Sequence, residues 1–214
     1  MLEAAIDLSQ YRRGRVPRDV RLQQVLGLAE ELFAEQGYTA ASMDELARRA
    51  GVSKPMIYNL VGSKDELFRT CMDRTADELA GRIRAAVAGK DDLREILVAG
   101  AHSWFDYIAE HRALWTAFLG GSDAPMGAEV ERIRQRQALL VATILAQKAP
   151  PTPTPAPAAL LGPVAHLVNG AFEGITRWWS DHPDATVTAL AELCTDFLLP
   201  GLLAIATRPP AGWE

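Results

Sequence analysis

Apolar residues recur at intervals of three and four along most of this chain of 214 residues, beginning near Arg18. This spacing places them on one face of an α-helix, whereas a half-buried strand alternates apolar and polar residues, and no stretch sustains such alternation. The pattern therefore predicts an all-α fold. The first predicted helix has one apolar face, formed by Leu22, Val25, Leu26, Ala29, Leu32 and Phe33.

Capping residues introduce the next three predicted helices. Residues 42–45 and 63–66 read Ser-Met-Asp-Glu and Ser-Lys-Asp-Glu, two capping boxes in which the hydroxyl and the carboxylate satisfy free backbone amides. Between them, Ser53 can cap a helix whose first turn holds Pro55, where a missing N–H costs little. Four helices are therefore predicted over residues 18–88, and a glycine at the position of a left-handed cap ends the first of them.

The second and third predicted helices, joined by a tight turn at Gly51, have the arrangement of a helix-turn-helix. Their apolar residues can pack against the first helix: Leu46, Ala50, Val52, Ile57 and Leu60. Other residues of the third helix then point outward: Lys54, Met56, Tyr58 and Asn59. A helix with such a face can enter a DNA major groove, which is about 12 Å wide.

The charge distribution agrees with a nucleic-acid partner, although the net charge of -5 alone argues against one. Between Gln10 and Lys64, nine basic and six acidic residues give +3, which leaves -8 for the rest of the chain. A mildly basic N-terminal part on an acidic body suits binding to a polyanion. A solvated charged surface explains the same distribution equally well.

The two cysteines, Cys71 and Cys194, share no disulfide or metal-binding motif, so a cytoplasmic protein without metal or other cofactor is expected. The N-terminal residues lack the basic and apolar regions of a signal peptide. The longest apolar stretch, residues 197–206, is interrupted by Pro200-Gly201. The sequence therefore predicts neither export nor a membrane span.

Helical periodicity continues along the chain, and about nine helices are expected in total. The further helices are predicted at about 91–110, 112–119, 127–148, 159–180 and 184–206. The alternating prolines of residues 149–158 cannot be helical and are expected to form an extended surface loop. The alternative for this loop is a ligand for a polyproline-binding partner.

Three pieces between Arg18 and about Phe68 resemble the TetR-type transcriptional repressors. They are, in chain order, Gly37-Tyr38-Thr39, Val52-Ser53-Lys54 with Tyr58, and Ser63-Lys64-Asp65-Glu66-Leu67. These pieces at these spacings, near the N-terminus of a chain of this size, are specific to the family. The sequence departs from the usual family pattern at Asn59-Leu60 and at Val61, which bears on the operator sequence more than on DNA binding.

The resemblance implies a homodimer that binds a palindromic DNA operator and is released by a small molecule bound in the C-terminal helical domain. The implied domains are a flexible basic arm (1–17), a helix-turn-helix domain (18–62), a helical ligand-binding and dimerisation domain (63–208) and a tail (209–214). In this family the last two helices form the dimer interface, and plain intramolecular packing is the alternative. The apolar residues that suit either burial are Leu190, Leu193, Phe197, Leu198, Leu202 and Leu203.

The resemblance also implies which residues contact DNA. Lys54 and Tyr58 match recognition-helix positions that touch DNA, with Ser53 beside them, and Lys64 matches a lysine that meets a phosphate at the start of the fourth helix. The alternative for Tyr58 is a half-buried tyrosine with a satisfied hydroxyl.

Other DNA contacts are expected around this core. Thr39 and Ser42 are candidate phosphate contacts, although Ser42 can equally be a helix cap only. Met56 and Asn59 are candidates for reading base edges, and asparagine is suited to adenine. Three arginines before the first helix form either a DNA-binding arm or a solvated tail: Arg12, Arg13 and Arg15.

Aromatic residues of the C-terminal helices can line an apolar effector cavity, with ordinary core packing as the alternative. Helix 159–180 carries a polar stripe that faces a pocket, an interface or solvent: His166, Asn169, Glu173 and Arg177. The candidate ligand-binding residues are Trp104, Tyr107, Trp115, Phe118, His166, Asn169, Phe172 and Glu173.

Two other functions are compatible with the sequence. A regulator without a small-molecule ligand can be controlled by a protein partner that binds the proline run. An all-α enzyme would have to use His102, His111, His166 and His182, but no closely spaced catalytic or metal-binding set occurs among these residues. A regulator rather than an enzyme is therefore expected.

Overall fold

The computed structural model describes residues 16–112, 115, 124–148 and 157–210, which contain eight α-helices and no strand. The helices are α1 (Arg18–Ala40), α2 (Met43–Ala50), α3 (Lys54–Val61), α4 (Lys64–Val87), α5 (Leu93–Glu110), α6 (Ala124–Lys148), α7 (Leu161–Asp181) and α8 (Val187–Thr207), with a 3-10 helix at Ala158–Leu160. The predicted all-α fold is confirmed. Most of predicted helix 112–119 and of the proline run lies outside the described residues.

The described residues belong to two compact units. The N-terminal unit combines Met1–Thr75 with Glu110–Val130, and the C-terminal unit combines Ala76–Ala109 with Glu131–Glu214. The boundaries between these units fall inside α4, α5 and α6 rather than in loops. The predicted domains follow chain order instead, with a division after residue 62, and they stay a prediction.

In the N-terminal unit, α1 packs against both α2 and α3. The buried face of α1 is the predicted one, except that Leu22 is only partly buried. Leu46 from α2 and Ile57 from α3 are almost fully buried. Phe33 of α1 and Phe68 of α4 meet edge to face with ring centroids 5.2 Å apart, and Tyr38 contacts both rings. This packing holds the two short helices, which would be unstable alone.

The helix ends explain how the chain turns at the predicted positions. Gly37 has φ +73°, a left-handed conformation, and breaks the helical geometry within α1. At the start of α4, the Ser63 hydroxyl accepts from the Glu66 amide at 3.2 Å, while the Glu66 carboxylate accepts from the Ser63 amide at 2.7 Å. This reciprocal pair is the predicted capping box.

Ser53 stands at the N-cap position of α3 but does not cap it with its side chain, contrary to prediction. An N-cap hydroxyl bonds to the second or third amide of the helix. The second helical residue is Pro55, which has no N–H, and the amide of the third residue, Met56, donates to the Ser53 carbonyl at 3.0 Å. The Ser53 side chain is exposed.

In the C-terminal unit, α5 and α7 share an aromatic core. Phe105 is fully buried and contacts Phe172 and Trp179, with ring centroids 5.7 and 5.9 Å apart. The Trp104 indole N–H donates to the Thr176 hydroxyl at 2.9 Å, so this buried polar pair is satisfied within the core. Helix α7 also packs against α8.

Helix α8 continues through Pro200 to Thr207. The sequence predicted that Pro200-Gly201 interrupts this apolar stretch, and the helix shows no such interruption. Among the described helices it is the one that is long and apolar enough to cross a membrane. Length and composition alone define this criterion, and core helices of soluble proteins meet it as well. The finding is therefore weak support for a membrane span.

Candidate nucleic-acid interface and effector cavity

The exposed side of α3 is the first candidate site. Ile57 anchors the helix because its side chain is completely buried. The predicted DNA-facing residues of the helix are all exposed: Lys54, Met56, Tyr58 and Asn59. Tyr58 is 44% exposed, so its ring is available to a partner. The helix therefore offers an ammonium group, an aromatic ring and an amide to the solvent side, which suits contacts in a DNA groove.

Lys54 is paired with an acidic residue of the preceding helix. Its Nζ lies 2.8 Å from a carboxylate oxygen of Asp44, in the first turn of α2. The hydrogen bond to this carboxylate raises the pKa of Lys54. Both side chains stay more than half exposed, at 51% and 68%. A phosphate can therefore compete with Asp44 for the ammonium group.

Lys64, the first residue of α4, is fixed beside the end of α1. Its Nζ donates to the Thr39 carbonyl at 3.1 Å and lies 4.6 Å from the centroid of the Tyr38 ring. Partial burial lowers the pKa of Lys64. The Tyr38 hydroxyl donates to the carboxylate of Asp65. These contacts hold Lys64 at a helix N-terminus, where free amides and an ammonium group together suit a phosphate.

The remaining predicted DNA contacts surround these two lysines. The Ser42 hydroxyl caps α2 by accepting from the Glu45 amide at 3.2 Å, and its side chain remains exposed, as does that of Thr39. The Asn59 carbonyl accepts from Arg18 at 3.4 Å, which leaves the exposed Asn59 amide for a partner. The predicted arm lies outside the described residues: Arg12, Arg13 and Arg15.

Glu45 is engaged by arginines rather than by the start of its own helix. Its carboxylate accepts from Arg48 at 2.6 Å and from Arg49 at 2.9 Å. These hydrogen bonds lower the pKa of Glu45 to about 2. Arg49 also donates to Glu35 of α1 at 2.6 Å, so the ion pairs connect α1 to α2. The hydroxyl half of this predicted capping box is confirmed, while the carboxylate has other partners.

A cavity in the C-terminal unit is the second candidate site. Residues from α4, α5, α6 and α7 line about 710 Å³ of atom-free space, part of which is open to solvent. Ligand sites in proteins are mostly apolar with a few polar groups. The described lining contains two polar side chains, Gln137 and Asn169, and no charged one. The cavity therefore suits an apolar ligand with few polar atoms.

The predicted ligand-binding residues are divided by the structure. Three of them line the cavity: Trp104, Asn169 and Phe172. Tyr107 is buried with its ring under the guanidinium of Arg82, at 4.9 Å, and is not among the lining residues. Trp115 belongs to the N-terminal unit, and Phe118 lies outside the described residues.

The polar stripe of α7 does not share one environment. His166 and Arg177 are exposed. Asn169 is buried at the cavity, and Glu173 pairs with Arg134 of α6 at 2.8 Å. The stripe therefore divides into two exposed residues, one cavity residue and one interhelical ion pair.

Two residues of these sites were not singled out from the sequence. Asp44 is the ion-pair partner of Lys54. The sequence signal for this pair was the position of an acidic residue in the first turn of α2, close to the start of α3. Gln137 lines the cavity, and it begins the apolar spacing of α6 that continues with Leu140, Val141 and Ile144. A polar residue on an otherwise apolar helical face was the signal for a polar group inside the core.

No group of three His, Cys, Asp or Glu side chains in the described part of the chain is placed to hold a metal ion. His102 and His111 are partly buried, whereas His166 and His182 are exposed. His182 stacks on Trp178, with ring centroids 4.1 Å apart.

Comparison with known proteins identifies the family of this chain. Residues 25–71 match the family model for bacterial regulatory proteins of the tetR family. Residues 93–201, about half of the chain, match the model for the tetracyclin repressor-like C-terminal domain.

Named relatives agree with this match. The HTH-type transcriptional activator FasR of Mycolicibacterium smegmatis is 46% identical over 101 residues, which are 47% of this chain and 46% of FasR. The chain spans about half the length of the curated relatives it matches.

Solved structures have the same fold. A TetR-like transcriptional regulator from Rhodococcus sp. RHA1 is 28% identical with a TM-score of 0.67, over 88% of this chain and 99% of that chain. The transcriptional regulator FadR from Bacillus subtilis, in complex with stearoyl-CoA, is 18% identical with a TM-score of 0.70, over 84% of this chain and 98% of that chain. Both family models match in the expected order along one all-α chain, and this protein belongs to the TetR family of transcriptional regulators.

Proposed function

We propose that this protein is a homodimeric regulator that binds a palindromic operator and changes its DNA affinity when a small apolar effector occupies the cavity of the C-terminal unit. The observation that carries the proposal is the exposed face of α3, which presents Lys54, Tyr58 and Asn59 around the buried anchor Ile57. Such a regulator acts on chromosomal DNA in the cytoplasm.

In the proposed complex, different residues fix position and sequence. Lys54, Lys64, Thr39 and Ser42 contact phosphates, because ammonium groups, hydroxyls and helix-end amides are phosphate ligands. Tyr58 and Ser53 contact the DNA backbone next to these phosphates. Base edges are read by Met56 and Asn59, two further exposed side chains of α3.

The exposed apolar side chains of α7 and α8 support a dimer. Phe197 is 77% exposed and Leu193, one turn earlier, is 55% exposed. On α7, Leu167 and Trp178 are also exposed, and a Cβ placed on Gly170 or Gly174 between them would meet nothing within 4 Å. Two such helix pairs can form a four-helix interface with close approach at the glycines. The dimer places two recognition helices about 34–36 Å apart, one turn of DNA, which requires a palindromic operator.

The apolar cavity supports an effector with a long apolar portion. The neighbouring structure of FadR from Bacillus subtilis holds stearoyl-CoA, which has such a portion. Helix α4 contains both Lys64 and the cavity residues Leu79 and Val87. An effector that binds better to the arrangement with poor DNA affinity therefore releases the operator, and the difference between its two affinities limits the response.

A titration of the purified protein against a duplex of its own upstream region, at several salt concentrations, tests this function. A scrambled duplex and the Arg84→Ala variant are the controls, because Arg84 is an exposed cation outside the helix-turn-helix. We expect tight binding to the upstream duplex only, with a steep decrease as salt rises, and a large loss for Lys54→Ala or Tyr58→Phe. No binding to either duplex at low salt would contradict the proposal.

Repression is the proposed outcome of operator binding, and activation is the second candidate because the relative FasR is a transcriptional activator by name. Transcription from the bound promoter by purified RNA polymerase separates the two. Repression predicts that added protein lowers transcript yield and that the effector restores it. Activation predicts the opposite response to added protein. Control by a protein partner predicts that no small molecule releases the operator.

A further inference from the structure

The cavity of the C-terminal unit has a buried amide nitrogen that reaches no hydrogen-bond partner in the described part of the chain. Gln137 of α6 is 8% exposed and lines the cavity. Its amide nitrogen Nε2 is buried and reaches no hydrogen-bond acceptor among the described residues. On the same face of α6, the cavity is lined by the apolar side chains of Leu140, Val141 and Ile144.

An unpaired buried amide N–H makes an unfavourable contribution to the free energy of folding. Burying a donor without an acceptor destabilises the folded protein, so a glutamine at this position is less favourable for folding than a leucine of similar size. The cost is offset when a bound molecule brings an acceptor to this nitrogen, because the hydrogen bond then forms at an atom that is buried from water.

The charge of the cavity limits which acceptor is compatible. No Lys, Arg or His side chain is among its described lining residues. The other polar side chain of the lining, Asn169, donates to the backbone carbonyl of Arg134. The guanidinium of Arg134 is paired with Glu173. A carboxylate placed against the buried Nε2 of Gln137 would be a charge without a counter-ion among the lining residues, which is unfavourable.

We propose that the effector presents a neutral carbonyl oxygen to Nε2 of Gln137 while its apolar chain fills the cavity. Esters, thioesters, amides and ketones share this group, and free fatty acids at neutral pH do not. The inference rests on the proposed effector function of the cavity, which it makes more specific.

Three probes with the same nine-carbon chain test the inference: 2-nonanone, nonanoate and nonane. Binding is measured by the change in tryptophan emission, since Trp104 lines the cavity, and by the rise in the thermal midpoint of the full chain. For the wild-type protein we expect 2-nonanone to bind about tenfold more tightly than nonane, as for one buried hydrogen bond. Nonanoate should bind most weakly.

The variant Gln137→Leu removes the donor and keeps the side-chain volume nearly constant. We expect it to bind nonane at least as well as the wild type and to lose the preference for 2-nonanone. Gln135→Leu makes the same change at an exposed position of α6 and should keep the preference. If Gln137→Leu does not fold, Gln137→Met, which retains a flexible unbranched side chain, replaces it.

The outcomes separate the inference from the function on which it rests. Equal binding of 2-nonanone and nonane to the wild type, tight binding of nonanoate, or a preference that survives in Gln137→Leu would overturn the inference and leave the cavity as an apolar effector site. Failure of all three probes to bind would contradict the effector cavity itself, and the inference with it.

Discussion

The ammonium group of Lys54, at the first residue of α3, lies 2.8 Å from the carboxylate of Asp44 in α2. The pair joins the two helices of the helix-turn-helix on the side proposed to meet DNA. An acidic side chain at this position competes with a phosphate for Lys54 and also repels the DNA backbone. We therefore expect Asp44 to limit the affinity of the free protein for any DNA sequence.

Replacing Asp44 with asparagine should increase DNA affinity about two- to fivefold at low salt, since exposed ion pairs and single charges have effects of this size. The measurement is fluorescence anisotropy with the upstream and scrambled duplexes, and both affinities should rise together. In a Lys54→Ala background the gain should shrink, because one of the two effects of Asp44 is then absent. A gain confined to one DNA sequence would show that Asp44 reads bases instead.

Lys64→Ala should weaken binding to all DNA sequences alike and lower the slope of log affinity against log salt by about one unit. The reason is that Lys64, which donates to the Thr39 carbonyl at 3.1 Å, is proposed to contact a phosphate. Asn59→Ala is the matched comparison, because it removes a base-reading candidate without changing charge and should alter sequence preference. A Lys64 variant with changed base preference and an unchanged salt slope would refute this assignment.

Tyr38→Phe tests the environment at the junction of α1 and α4. Burial and the hydrogen bond to Asp65 raise the pKa of Tyr38 to about 12, above the value of about 10 in an unfolded chain. Between these values the folded protein keeps a proton that the unfolded chain releases. The stabilisation is therefore complete below about pH 10 and is lost as pH rises towards 12.

Urea unfolding of the wild type and Tyr38→Phe over this pH range measures the effect. The phenylalanine keeps the ring contacts with Phe33 and Phe68. The difference in unfolding free energy between the two proteins should become smaller as pH rises from about 10 to 12. Parallel curves for both proteins throughout this range would be inconsistent with the raised pKa.

Local features of the fold could be predicted from the sequence because helix starts and ends depend on neighbouring residues. Ser63 and Glu66 satisfy each other's amides within one turn. The cap at Ser53 was predicted wrongly because the general preference for serine ignores that Pro55 removes one of its two possible donors. The division of α4 between two units depends on contacts between distant segments, for which the local pattern contains no signal.

The candidate sites could be predicted only in part, because some of their features depend on local spacing and others on the packing of distant helices. The exposed face of α3 follows from its period around Ile57, so the exposure of its residues could be predicted, while their contacts with DNA stay a prediction. Aromatic residues suggested a cavity, but periodicity cannot distinguish a ring that lines a cavity, such as Trp104, from a ring packed in the core, such as Tyr107. That distinction depends on how four helices leave space between them.

Thr176→Val should destabilise the protein by about 1–2 kcal/mol, because it removes the acceptor of the buried 2.9 Å hydrogen bond from the Trp104 indole. The two side chains are nearly isosteric, so loss of packing contributes little. Urea unfolding followed by circular dichroism gives the value. Thr143→Val, on an exposed side of α6, is the control and should change stability by less than about 0.5 kcal/mol. Equal effects at the two positions would mean that the Trp104 contact contributes nothing specific.

Phe197→Glu should convert the proposed dimer into a monomer. Phe197 is 77% exposed in the single chain, and burying it with Leu193 against a second copy would remove both from water. A glutamate there would place two like charges near the two-fold axis of the interface.

Sedimentation velocity over a range of concentrations measures the mass of the variant. The same variant should bind the operator much more weakly, because one recognition helix then acts alone. Leu139→Glu introduces the same charge at a 69% exposed position of α6 and should remain dimeric. A wild-type protein that sediments as a monomer at all concentrations, or a Phe197→Glu variant that remains dimeric, would assign the exposed face of α8 to a different partner.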